Sequence, residues 1–129
     1  MSFIDATYGD LELSNLIPEG EYTLQVYEAG INERGDVEIH ASVLEVGTNR
    51  RFRFPARQEW AKPAFFRFLR ACGVTGDPGD TVPVLLERIR ELRPEVRARI
   101  EHTTGSNGRR YDNISLFSFQ PVNQTAEAV

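Results

Sequence analysis

Residues 50–73 read RRFRFPARQEWAKPAFFRFLRACG, and the fold turns on a change of rhythm inside them. Up to Pro55, charge and aromatic alternate. Arg51 and Arg53 fall on one side of an extended chain and Phe52 and Phe54 on the other, the period of two that a half-buried strand requires. From 62 to 72 the apolar residues Phe65, Phe66, Leu69 and Cys72 recur at helical spacing. Pro63 stands near the start, where its missing N–H does no harm, and Gly73 closes the end. A strand gives way to a helix here.

Working outward, two more strands precede this one. Pro18, Glu19 and Gly20 signal a turn, and in 21–29 Tyr22, Leu24 and Val26 alternate with Thr23, Gln25 and Tyr27. After a turn at 32–35, residues 37–44 put Val37, Ile39, Ala41 and Val43 on one face and Glu38, His40 and Ser42 on the other. Short turns make these three strands an antiparallel meander. Beyond the helix, a loop at 76–79 leads to a second short helix, capped by Asp80 or Thr81 and burying Val82, Leu85, Leu86 and Ile89. Strand rhythm returns at 95–101, with Val96, Ala98 and Ile100 inward and Arg97 and Arg99 outward. A hairpin tip at 105–108 precedes a fifth strand over 110–119. Residues 1–17 show no period and form an arm, and 121–129 are a polar tail expected to lack packed structure. The expectation is a mainly β domain over 18–120: a five-stranded OB-fold barrel with helices between its third and fourth strands. An immunoglobulin-like sandwich needs about seven strands and no central helix.

The chain of 129 residues suits one domain, and 40% hydrophobic with 26% charged residues is a globular composition. No apolar run can cross a bilayer and no secretory leader is recognisable. Cys72 is the sole cysteine, which rules out an internal disulfide and suits a cytoplasmic location. The net charge of −4 conceals a division. Residues 1–48 hold ten carboxylates and one arginine, whereas 49–70 hold seven cations and one glutamate. Fourteen of the fifteen cations are arginine, which either a coding bias or a phosphate ligand would favour.

Several segments together resemble a known family. They are LIPEGEY at 16–22, Gly35, the segment Arg50-Arg51-Phe52 after Gly47, Trp60 ahead of a helix ending Ala71-Cys72-Gly73, and Gly108 followed by YDNI at 111–114. In order and spacing these are similar to small phage-encoded single-stranded DNA-binding proteins, also described as phage proteins of unknown function. The resemblance spans about residues 16–120. It implies an OB-type barrel and a role in phage DNA replication or recombination, in the host cytoplasm. Many single-stranded DNA-binding proteins recruit enzymes through an acidic tail, and here 124–129 contains only Glu127.

Single-strand binding requires cations along the phosphates and exposed rings under the bases. The outward residues His40, Arg51, Arg53, Arg97 and Arg99 are the expected groove, with Arg109 and Arg110 beside the last hairpin as a clamp. Tyr27, Trp60 and Tyr111 are the candidate base platforms, Trp60 being equally suited to anchor a helix. Tyr22, Phe52, Phe54, Phe65 and Phe66 are expected in the core. Phe117 and Phe119 are expected outward, where they could meet a base, the arm or a second subunit. Two isolated histidines and one cysteine form no metal site, no catalytic motif is present, and neither enzyme activity nor a cofactor is expected. The expected partners are single-stranded DNA, a homo-oligomer of two or more chains, and replication or recombination proteins, with no membrane. The alternative is an OB-fold protein-interaction module, or an oligomeric accessory phage protein, that binds no DNA.

Overall fold

The computed structural model describes residues 3–122. After a 3-10 turn at Phe3–Asp5 come α1 (Tyr8–Ser14), β1 (Gly20–Ile31), β2 (Val37–Val43), β3 (Thr48–Phe54), α2 (Ala61–Ala71), α3 (Val82–Leu92), β4 (Glu95–Thr104), β5 (Arg110–Ile114) and β6 (Gln120–Pro121). The fold is mainly β. One antiparallel open sheet runs in the order β3-β2-β1-β4-β5, with β6 also on β4.

The long β1 is the hub. Its first half, Gly20 to Gln25, pairs with β4, and its second half, from Leu24 on, pairs with β2. A bulge between Val26 and Glu28 inserts Tyr27 and turns the strand, so that Leu24, Val26 and Ala29 all face the core. The alternation expected for β2 and β3 is met: Val37, Ile39, Ala41, Val43, Phe52 and Phe54 are buried and the residues between them are not. α2 lays Phe68, fully buried, among Phe52, Phe54 and Phe119 with ring centroids 4.9 to 5.6 Å apart. Gly73 ends that helix with φ 75°. There Val74 N–H reaches back to Leu69 O, the closure a left-handed residue permits.

Five sequence expectations are corrected. The fifth strand stops at Ile114 because residues 115–118 turn: Ser118 N–H bonds Ser115 O, and Ser118 Oγ accepts the Arg99 N–H at 2.8 Å. The turn reverses the inside–outside parity, so Phe119 enters the core while Phe117 stays 60% exposed. The chain then pairs again as β6, which draws Pro121 out of the expected tail; residues 123–129 lie outside the described residues. On α2, Phe66 faces solvent and Phe68 takes the core position, since the phenylalanines of β3 and Phe119 meet the helix on the Ala64–Phe68 side. On α3, Leu86 and Ile89 are buried but Val82, in the first turn, is exposed.

The arm also has structure. A capping box joins Thr7 and Asp10, each backbone N–H bonding the other's side chain, and starts α1. Ile17, at the arm's end, is buried.

Candidate nucleic-acid interface

The register of β2 against β3 sets the outer surface. Glu38 pairs with Arg53, His40 with Arg51 and Ser42 with Asn49. The same pleat that buries the phenylalanines holds Arg51 and Arg53 outward, with side chains 73% and 50% exposed. Tyr27, on the bulge of β1, lies edge-on to His40 at 6.1 Å. Four expected site residues, Tyr27, His40, Arg51 and Arg53, therefore share one face.

That face is internally compensated. Arg53 Nη1 donates to Asp36 at 2.9 Å, and Arg51 Nη1 lies 3.9 Å from Glu38, which also meets His40 Nε2 at 3.3 Å. Asp36 is buried. The Ala56 N–H, and then Arg53, hold its carboxyl below the usual range despite burial.

Arg97 and Arg99 do not join this wall. They pair with Thr23 and Glu21, in the opposite half of β1 from the Glu28 that faces His40. The five residue steps from Thr23 to Glu28 amount to roughly 15 Å of strand, and β2 lies between as well. Arg97 Nη1 is held by Thr23 Oγ1 at 2.8 Å and Glu45 at 3.0 Å, and Arg99 Nε by Glu101 at 3.3 Å. Sequence alternation correctly turned these arginines outward, but it carries no information on which half of β1 each strand joins.

The last hairpin is a third location. Arg109 and Arg110 are exposed there. Tyr111 is 43% exposed, its hydroxyl accepting from Asn107 Nδ2, and its ring lies so close over Gly105 that a Cβ there would approach within 2.9 Å. Trp60 caps the start of α2 and its ring packs, tilted by 44°, against Phe117 with centroids 5.5 Å apart, a pair on yet another surface.

A cleft of about 900 Å³ opens where β3 and β5, the ends of the strand order, face each other without a backbone ladder. Arg51 and Arg53 form one wall, Asn113, Ile114 and Leu116 the other, and Ile31 to Arg34 of the β1–β2 loop close one end. Ile31, Arg34, Asn113 and Leu116 were not among the candidate site residues read from the sequence. The one signal available was an apolar residue, Ile31, directly before a polar turn. The β5 wall begins at Asn113, so Arg109, Arg110 and Tyr111 lie outside the cleft, at the other end of the strand.

A different ion pair bridges the same seam. Asp112 of β5 accepts Arg50 Nε at 2.8 Å and Nη2 at 2.9 Å, a fork geometry across to β3. The Arg50 bonds keep the Asp112 carboxyl below its ordinary range and hold Arg50 more firmly charged. Asp112 also accepts the Ile17 N–H at 2.7 Å, and His102 Nε2 meets Ile17 O at 2.7 Å, which requires the ring proton on Nε2. These groups fasten the arm to the sheet.

Among the described residues no cluster of three or more His, Cys, Asp or Glu is placed to hold a metal ion, and no helix is long and apolar enough to cross a membrane. Cys72 is buried, which pushes its thiol up to about 12 and leaves it protonated at neutral pH. No protein-family model and no curated protein matches the chain.

Proposed function

We propose that the chain is a sequence-tolerant single-stranded DNA-binding protein built on an OB-type barrel. The strand would cross the Tyr27–His40–Arg51–Arg53 face and enter the cleft between β3 and β5. The observation that carries the reading is the position of that cleft: it joins the β2–β3 surface to the β1–β2 loop, the region where OB folds take oligonucleotides. The strand order supports it, being that of a five-stranded barrel opened between β3 and β5, with Arg50–Asp112 spanning the opening. The helices between β3 and β4 agree as well. A role in phage DNA replication or recombination follows from the family resemblance.

Phosphates must compete with Glu38 and Asp36 for Arg51 and Arg53. Binding should be moderate and should weaken steeply with salt. Fluorescence anisotropy of a labelled oligothymidine over a salt series tests this. Arg51→Ala with Arg53→Ala should weaken binding about tenfold for every base composition and flatten the logarithmic salt slope by about 1 to 2. Absence of binding even at low salt would end the proposal. The ion pairs Arg53–Asp36 and Arg97–Glu45 favour the second reading, an interaction module whose cations are already matched, and the same null titration would support it.

A further inference from the structure

Two exposed apolar surfaces on this chain carry opposite charge. The first is α1, which buries none of its residues. Tyr8 is 77% exposed and Leu11 46%, interleaved with Asp10 and Glu12, and Asp5 just precedes the helix. The second surrounds α2. Phe66 is 58% exposed with the Arg70 guanidinium 5.9 Å from its ring centre, and the exposed Arg67 adjoins it. The Trp60–Phe117 pair continues the surface at the start of the helix. Among the described residues no carboxylate pairs with Arg57, Arg67 or Arg70, and Lys62 has only the exposed Glu59 at 3.7 Å.

We propose that the α2 face is the docking site for α1 of a second copy of this chain. Charge complementarity selects the occupant. Of the two surfaces, each presents rings or leucines among charges of the sign the other lacks, so one contact would cover both apolar patches and pair both sets of charges. A second copy is required because arm and face leave opposite ends of one strand. Ile17 is fastened to Asp112 and through it to Arg50 near the start of β3, whereas α2 follows Phe54 at the end of β3. The contact is head-to-tail, so it propagates from copy to copy and yields a ring or an open chain. It uses none of the residues placed in the strand-binding cleft and stands or falls apart from it.

The test is the mass of the full chain by size exclusion with light scattering, at high protein concentration in low and high salt. We expect assemblies of more than one chain in low salt that fall to single chains in high salt. Arg67→Glu with Arg70→Glu should give single chains, and so should Leu11→Ser with Leu13→Ser, all four positions being exposed enough for the fold to persist, which circular dichroism verifies. Mixing these two variants should form a complex of two chains and nothing larger, since one contributes an intact arm and the other an intact face. Asp5→Lys with Glu12→Lys, added to the α2 double variant, should restore assembly while sparing the Asp10 cap. A single-chain mass for the unaltered protein in every condition overturns the proposal. So does assembly indifferent to both double variants. So too does loss of oligothymidine binding in the α2 variant while the arm variant keeps both binding and mass, because the face would then serve nucleic acid.

Discussion

The arginines of β3 and those of α2 come from one basic stretch, 49–70, yet the fold treats them differently. Arg50, Arg51 and Arg53 each have a carboxylate within 4 Å: Asp112, Glu38 and Asp36. Among the described residues Arg67 and Arg70 have none. The difference lies in the neighbours each element acquires. A strand is set by hydrogen bonding directly beside another strand, and β3 lies beside β2, which belongs to the acidic first third of the chain. A helix packed on a sheet brings only one side to the core and leaves the rest to solvent. The sequence-level division between acidic and basic regions is thus cancelled within the sheet and survives on the helix. Attraction for an outside partner is greatest where no internal carboxylate competes.

The comparison depends on α2 being fixed to β3, and Phe68 fixes it. Phe68→Ala would remove a ring in contact with Phe52, Phe54 and Phe119 and leave a cavity between helix and sheet. It should cost about 3–5 kcal/mol of stability, read as the shift in urea midpoint. Phe66→Ala, three-fifths exposed, should cost far less. Equal losses from the two would show that the helix packs by its other side.

Phe66 against Phe68 also marks how far the sequence could be read. Four apolar residues in the five positions 65–69 define a helix but not its inward side, which is decided by rings 15 residues earlier and 50 later. Alternation within β2 and β3 was legible because each residue's face is fixed by its neighbours in the chain. The turn at 115–118 was not, since it rests on Ser118 meeting Arg99 across strands. The split of β1 between two partners was equally hidden, and it is what parts Arg51 and Arg53 from Arg97 and Arg99. What remained illegible in the site was long-range register, while the polarity of each face was plain.

Arg50 sharpens the comparison from inside the seam, because its partner also holds the arm. Asp112→Asn would remove the fork to Arg50 and weaken the Ile17 bond at a side chain only 7% exposed, costing about 1–3 kcal/mol at neutral pH. The sign with pH follows from the depressed carboxyl. Its stabilisation is present above the unfolded value of about 4 and is lost as pH falls through the lower folded value. The gap between wild type and Asp112→Asn should therefore close in acid. A gap unchanged down to the acid limit would mean the loss is one of packing and not of charge.

The smallest effect separates the two arginine sets most directly. Arg53→Gln and Arg67→Gln remove one charge each from exposed positions, and by exposure alone they should be alike. Arg67→Gln should shift stability by no more than about 0.5 kcal/mol at any pH, since among the described residues no carboxylate pairs with it. Arg53→Gln removes one of the groups that keep Asp36 ionised, leaving the Ala56 N–H and the charge of Arg34. Its carboxyl then rises toward the ordinary range, where NMR titration can follow it. The stability deficit should be present at neutral pH and fade as pH falls below the unfolded value and on through the lower folded one, beneath which both proteins carry Asp36 neutral. Identical pH profiles for the two variants would contradict the claim that β3 spends its charge on β2 while α2 keeps its own.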